Sequence, residues 1–265
     1  MPRHIACPAS SADRVKISII TVSLDSAATI EETILSIHGQ AHTEREHIVV
    51  DGVSRDGTQD VVEKHREKIA VFISEADTGI FEAMNKGLAL ATGDVIGFLN
   101  ADDVYANDQV LAHVAEAFRD PLLEAVYADL VYVDKRDPAV VVRYWRSGEF
   151  RPGSFARGWM PAHPTFYVRR QVYERFGGFN PAYRLQGDFD LTMRFMEVHR
   201  IRTRHVAEIW VRMRTGGASN RSWRGVLRGN VEAYRAARAS GLEVTPFFVL
   251  RKILSRIPQF FARPD

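Results

Sequence analysis

Four times within its first 120 residues the chain alternates a short β-branched run with a segment of helical period, and this alternation limits the folds open to it. The runs VKISIITV (15–22), EHIVVDG (46–52), AVFISE (70–75) and DVIGFLN (94–100) read as strands. Between and after them, TIEETILSIHGQ (29–40), TQDVVEKHREK (58–68), IFEAMNKGLALA (80–91) and DQVLAHVAEAF (108–118) repeat apolar residues every three or four positions, as amphipathic helices do. Strands joined through helices pair in parallel, because parallel strands need a long crossover. The first half is therefore predicted to be α/β, with a central, mostly parallel sheet flanked by helices. Ligands of such sheets bind beyond the carboxyl ends of the strands. Here those ends read DGVSRDGT, SEADTG and NADD. Asp, Gly and Ser also favour plain turns, so no single end identifies a site.

After residue 120 the pattern changes. EAVYADLVYVDK and AVVVRYW read as a hairpin around KRDP, and GSFARGWMPAHPTFYV reads as a loop lining a site. RRQVYERFGGFN is a short helix, DFDLTMRFMEVHR an amphipathic one, EIWVRMR a late strand, TGGASN a loop and Ser222–Ala239 a helix. The predicted organisation is a flexible N-terminus (1–14), one domain (15–240, with halves 15–120 and 121–240) and a basic amphipathic C-terminal segment (241–265). The single cysteine, Cys7, excludes an internal disulfide framework and a four-cysteine zinc site. Neither a membrane-spanning apolar run nor the apolar core of a signal peptide is present, so the expected location is the cytoplasm. Charge is polarised: residues 200–265 hold 14 Lys and Arg against 4 Asp and Glu.

FLNADDVY (98–105) poses the chemical question, because it ends an apolar run on Asn100, Asp102 and Asp103. Adjacent carboxylates raise each other's pKa, and a divalent cation would offset this. A helix start with Asn107 as cap explains the same residues. Local sequence leaves both readings open. His38, His42 and His47 do not make a metal site, because Gly39 breaks the helix that would align them.

The order of motifs separates these readings. ISIITVSLDSAATIEETILSI … IVVDGVSRDGT … GIFEAMNKGLALATGDVIGFLNADD resembles the family 2 glycosyltransferases of GT-A fold, over about residues 16 to 220. It is similar to bacterial colanic acid and other exopolysaccharide enzymes. The resemblance implies a GT-A nucleotide-sugar-binding fold with a C-terminal helical extension. The implied activity is inverting transfer from a nucleotide-diphosphate sugar, first among them a UDP-sugar. The acceptor it implies is a saccharide or a polyprenyl-diphosphate-linked saccharide.

By the same resemblance, DGVSRDGT matches the family's DDGSTDGT, which makes Asp51 the acid that contacts the base. NADD matches DADD, which makes Asp102 and Asp103 the ribose and metal-diphosphate acids, with Mn²⁺ or Mg²⁺ as the cation. Asn100 departs from the family's usual Asp; its oxygen still accepts a ribose hydroxyl but gives less to a cation. Ser23, Asp77, Asn85, Lys86, Arg212 and Arg214 complete the expected donor site, with the GGAS loop around Ser219 closing over product. LQGDFDLTMRF puts Gly187 where the family has Glu and leaves Asp188 as the matching general base; Asp190 is read as opening the helix. A base is needed within hydrogen-bond reach of the acceptor hydroxyl. His163 and Trp159 are expected at the acceptor pocket, although a lone His is often structural and solvated arginines on a strand edge need no ligand.

PFFVLRKILSRIPQFFARP (246–264) aligns Phe247, Leu250, Ile253, Leu254, Ile257 and Phe261 near one helical face, with basic residues elsewhere. Such a segment either lies on the inner face of the cell membrane as a peripheral contact or docks on its own domain. The alternative to an enzyme is a non-catalytic nucleotide-sugar-binding or scaffold protein, suggested by Asn100 and Gly187 in place of acids. A dinucleotide-dependent oxidoreductase lacks its glycine-rich turn after the first strand. No nucleic-acid partner is expected, because the basic end carries an amphipathic pattern and no aromatic-lined groove.

Overall fold

The structure, a computed structural model, describes residues 15–137, 139–216, 223–245, 247–254 and 259. Cys7, Ser219, Ile257 and Phe261 lie outside the described residues. The first half runs β1 (Ile17–Ser23), α1 (Ile30–His38), β2 (Arg45–Asp51), α2 (Thr58–Lys64), β3 (Val71–Ser74), α3 (Ile80–Leu90), β4 (Val95–Phe98), β5 (Asp103–Tyr105) and α4 (Val110–Ala117). The second half holds β6 (Ala125–Val133), β7 (Val141–Trp145), β8 (Tyr167–Arg169), α5 (Arg170–Phe176), α6 (Gly187–Met193), β9 (Thr203–Arg214), α7 (Trp223–Ala239) and α8 (Phe248–Leu254).

One nine-stranded sheet joins both halves in the order β3-β2-β1-β4-β8-β6-β9-β5, with β7 paired to β6. β1 pairs in parallel with β2 and β4, and β2 with β3. β6 and β9 also pair in parallel, whereas β8, β5 and β7 run against their neighbours. The α/β architecture is therefore the predicted one, with an antiparallel admixture in its second half. Three local features differ from the sequence reading. Asp103–Tyr105 is a strand on β9, not the approach to a helix cap. Tyr167–Arg169, within the expected loop, is a strand wedged between β4 and β6. The helix after Met193 loosens into a π turn over Arg194–Val198.

The β-branched runs form the core: Ile17, Ile19, Ile48, Val49, Val50, Val95 and Ile96 are fully buried. At the amino ends of the strands, Glu46 accepts hydrogen bonds from Ser18 (2.5 Å), the Thr92 amide and hydroxyl (both 2.6 Å) and Lys16 (2.6 Å). Burial pushes its carboxyl up, but those donors outweigh it and hold the pKa at about 2.

The C-terminal helix docks on the domain, and its buried residues are not those on the apolar face read from the sequence. Phe248 and Lys252 of α8 are buried, whereas Phe247 and Leu250 are 64% and 53% exposed. No helix among the described residues is long and apolar enough to cross a membrane.

His47 is buried in β2 with Nε2 2.9 Å from the Thr21 hydroxyl. Burial, reinforced by the Arg45 charge, lowers its pKa from 6.5 to about 3. The unfolded chain therefore takes up a proton that the fold refuses, and stability is lost as pH falls from 6.5 toward 3. Urea midpoints at pH 7 and pH 4 are expected to differ less in His47→Gln than in the parent chain. An equal acid loss in both proteins would refute this origin.

Candidate active site

Asp51 closes β2 and is completely buried. Its carboxylate accepts from Ser23 Oγ at the end of β1 (3.1 Å), Ser74 Oγ at the end of β3 (2.8 Å), the Ser54 amide (2.9 Å) and the Ser54 hydroxyl. Ser23, Asp51 and Ser74 meet because they are in register across the three parallel strands. The two following loops are knitted together: the Asp25 amide donates to Ser54 Oγ (2.8 Å), and the Ala27 amide donates to Asp56 (2.9 Å). Val53, a β-branched residue, is held at φ 63°, a strained conformation of the kind that clusters at ligand clamps. Asp77 forms the adjoining wall: one oxygen accepts from the Gly79 amide (3.0 Å), and the other lies 3.1 Å from where a Cβ on Gly52 would stand.

The end of β4 has the opposite character. Asp103 is fully buried and Asn100 Nδ2 donates to its Oδ2 at 3.3 Å. Asp103 Oδ1 and Asn100 Oδ1 are both buried without a hydrogen-bond partner among the described residues. Burial, then the neighbouring Asp102 charge, raises the Asp103 pKa well above the ordinary range, against opposing pulls from Asn100 and Arg214. Arg214 is itself buried, donates to the Asp102 carbonyl (3.1 Å) and pairs with Glu32 of α1.

Unmet buried oxygens are costly, and the ligand that satisfies such acceptors is a donor or a cation. Among the described residues no group of three His, Cys, Asp or Glu side chains is placed to hold a metal alone. Two adjacent carboxylates and an amide oxygen nonetheless fit a hard divalent ion that takes its remaining ligands from a diphosphate.

Asp188 lies in the first turn of α6, half-buried, with its Oδ1 accepting from the Phe189 amide at 2.7 Å. Gly187 precedes it because a Cβ there would lie 2.7 Å from the ring of Phe81. The departure from the family's Glu thus has a steric cause. Asp190 is structural: it pairs with Arg194 at 2.9 Å, and Arg194 also reaches the Phe176 and Gly178 carbonyls. His163 is half-buried; desolvation lowers its pKa while the nearby Asp188 charge pulls it back up. Its ring packs on Phe98 (6.2 Å) and Phe179 (6.1 Å), and Phe179 stacks on Phe81 (5.5 Å). A row of rings therefore connects the end of β4 with the start of α6. Trp159 donates to the Ser147 carbonyl (2.7 Å) and packs among Tyr127, Phe150 and Phe155.

Three expected donor residues are engaged elsewhere. The Asn85 amide is clamped reciprocally to the Phe179 main chain (2.8 and 2.9 Å). Lys86 holds the loop before Asp77 through the Ala76 carbonyl (2.7 Å) and Glu75 (3.1 Å). Arg212 lines a separate cleft of about 400 Å³ with Asn107, His113 and Glu208. Sequence reasoning does not reach Ser54, Ser74, Phe81 or Glu32. Ser54 and Ser74 do carry a local signal, their places inside DGVSRDGT and SEADTG.

A mostly parallel half-sheet whose strands β1, β2 and β3 end on acidic and hydroxyl-bearing residues is an architecture that takes its ligand at those ends. Comparison with known proteins agrees. The family model described as glycosyl transferase family 2 matches residues 18–185. A PGL/p-HBAD biosynthesis glycosyltransferase of Mycobacterium bovis is 31% identical over 192 residues, covering 71% of this chain and 73% of its own. A teichuronic acid biosynthesis glycosyltransferase, TuaG, assigned as putative in Bacillus subtilis, is 36% identical over 97 residues, 36% of this chain and 38% of its own. In fold, the chain is similar to Staphylococcus aureus TarS in complex with UDP (TM-score 0.65, 20% identity, 89% of this chain and 68% of that one). It is equally similar to the mannosyltransferase PcManGT of Pyrobaculum calidifontis in complex with GDP-Man and Mn²⁺ (TM-score 0.65, 20% identity, 95% and 77%). The chain belongs to glycosyl transferase family 2 and has the GT-A fold.

Proposed function

We propose that this chain transfers a sugar, with inversion, from a nucleotide-diphosphate sugar to a hydroxyl of a saccharide or lipid-linked acceptor. UDP-sugars are the first donors to test. The observation that carries this reading is the pair of buried, unpartnered oxygens on Asn100 and Asp103 beside the Asp51 corner. Asp102, Asp103 and Asn100 would hold Mn²⁺ or Mg²⁺ with the donor. The cation, when bound, neutralises charge that develops on the departing diphosphate. Ser23, Gly52 and Asp77 bound the nucleotide; the Asp51 carboxylate, already engaged, shapes that pocket more than it reads the base. Arg214, buried behind Asp102, keeps the acid-bearing loop in place.

Asp188 serves as general base. It takes the acceptor's hydroxyl proton as the acceptor oxygen bonds to the anomeric carbon, the bond from that carbon to the phosphate oxygen breaks, and nucleoside diphosphate leaves. Desolvation makes the neighbouring His163 a weaker base than a free imidazole, with the Asp188 charge opposing that shift. The relatives named for glycolipid and teichuronic acid assembly support a polysaccharide or glycolipid acceptor. A lipid-borne acceptor suits peripheral contact with the cytoplasmic face of the membrane. Exposed Phe247 just before α8, Leu250 on α8, and Leu227 and Val231 on α7, with exposed Arg228, Arg235, Arg238 and Arg251 nearby in sequence, provide apolar and basic groups for it.

A thermal-shift screen of UDP-, GDP- and dTDP-sugars with and without Mn²⁺ tests the donor site. One nucleotide class is expected to raise the melting temperature in the presence of Mn²⁺. Ligand at 100 times its Kd stabilises by about 2.7 kcal/mol, a shift of roughly 5–10 °C for a domain this size. Asp103→Asn should remove the Mn²⁺-dependent part, and no donor-dependent shift in any condition would refute the reading. Asp188→Asn is expected to lower turnover about 10²- to 10⁴-fold with donor affinity changed less than twofold; wild-type turnover would remove the base assignment. In co-sedimentation, the parent chain should bind phosphatidylglycerol vesicles better than phosphatidylcholine ones, and Phe247→Ser with Leu250→Ser should bind less. Equal binding by parent and double variant would exclude the membrane contact.

A further inference from the structure

The C-terminal segment, expected either to lie on a membrane or to dock on its own domain, drives a lysine into the protein. Lys252 is 1% exposed, although a leucine or methionine would fill its place without burying an ammonium group. The fit around it is tight: a Cβ on Gly158 would lie 2.6 Å from Lys252 Cβ, so α8 rests directly on the turn Phe155–Arg157 and its closing glycine. One turn earlier on α8, Phe248 is fully buried, with its ring edge-on to Phe189 at 6.0 Å and against Tyr234 of α7 at 6.1 Å.

The destination of the ammonium is informative. Lys252 Nζ donates to Gln186 Oε1 at 2.6 Å and lies 4.5 Å from the centre of the Phe189 ring. Gln186 is the residue from which α6 starts; its carbonyl accepts the Asp190 amide at 3.0 Å, the first hydrogen bond of that helix. Phe189 follows Asp188, and its amide is the donor that holds Asp188 Oδ1 at 2.7 Å. Lys252 thus grips the residues on both sides of Asp188 without being adjacent to it in sequence. The first turn of a helix frays readily, because its amides lack intrahelical partners. On the other side, Gly187 is pressed against Phe81.

We propose that Lys252 is a positioning residue for Asp188: through Gln186 and Phe189, α8 fixes the first turn of α6 and with it the direction of the base. This inference rests on the assignment of Asp188 as base. It gives the C-terminal helix a task in the reaction, separate from any contact its exposed face makes with a membrane. A displaced base loses proton abstraction but leaves donor binding, which is governed at the ends of β1, β2 and β4, intact.

The test uses the full chain and three variants, Lys252→Met, Gln186→Met and the double variant, with Asp188→Asn as reference. Turnover is read as nucleoside diphosphate released from the donor selected by thermal shift, with octyl glucoside as acceptor. Lys252→Met is expected to lower kcat about 10- to 100-fold, as small misplacements of a reacting group do, with donor KM changed less than twofold. The double variant should lose no more than the worse single one, because both remove one link. Hydrogen exchange is read in parallel and needs no turnover: amides of Gly187–Met193 should exchange faster in Lys252→Met, with β1 to β4 unchanged.

Unchanged exchange across Gly187–Met193 overturns the proposal, as does a fall in donor affinity together with loss of protection throughout the sheet. If Asp188→Asn is inactive while Lys252→Met keeps wild-type kcat, only the positioning role fails. If Asp188→Asn keeps wild-type turnover, the base assignment fails and the positioning role with it.

Discussion

The site depends on one buried carboxylate. Asp51 has no solvent to share its charge, so the fold supplies donors from the ends of β1 and β3 and from the loop after β2. A charge withdrawn from water is tolerated when its lone pairs are met by fixed donors. Meeting them brings three strand ends to one level and sets the loops that leave them, including the strained Val53. The resulting pocket edge consists of backbone and small side chains, a surface against which a planar, polar ligand can lie.

Two strands away the same sheet does the reverse. Asp103 Oδ1 and Asn100 Oδ1 are buried and receive nothing from the described residues, and the buried Arg214 spends its donors on the Asp102 carbonyl and Glu32. One acid is satisfied and structural; the other is buried and left open. The difference between them locates the ligand better than the count of acids does. The row of rings from Phe98 through His163 and Phe179 to Phe81 then sets how far the acid-bearing edge stands from the helix of Asp188. Aromatic contacts of this kind are stiff, because cores pack at near-crystalline density.

Residues were legible in the sequence to the extent that their role was local. The alternation of strands and helices, the acids at strand ends and Asp188 at a helix start all depend on neighbours within a few positions, and the structure places them so. The partners of Asn85 and Lys86, the Phe179 main chain and the 75–76 loop, were not legible because they are chosen by packing. The buried face of the C-terminal helix was not legible for a related reason. Periodicity put Phe247 and Leu250 on the apolar face without saying what covers it, yet the gap beside Gly158 admits Phe248 and Lys252, and a lysine's long apolar stem lets it be buried where hydropathy forbids it.

The sequence by itself therefore determined the parallel half-sheet and the acids that stand at the carboxyl ends of its strands. Those features follow from hydrophobic period and chain connectivity, which are written along the chain. Only the tertiary structure decided which of those acids is satisfied and which is open, why Gly187 excludes an acid, and that Lys252 reaches Gln186. These depend on distances between residues far apart in the chain, 66 positions for Lys252 and Gln186, which no local pattern encodes.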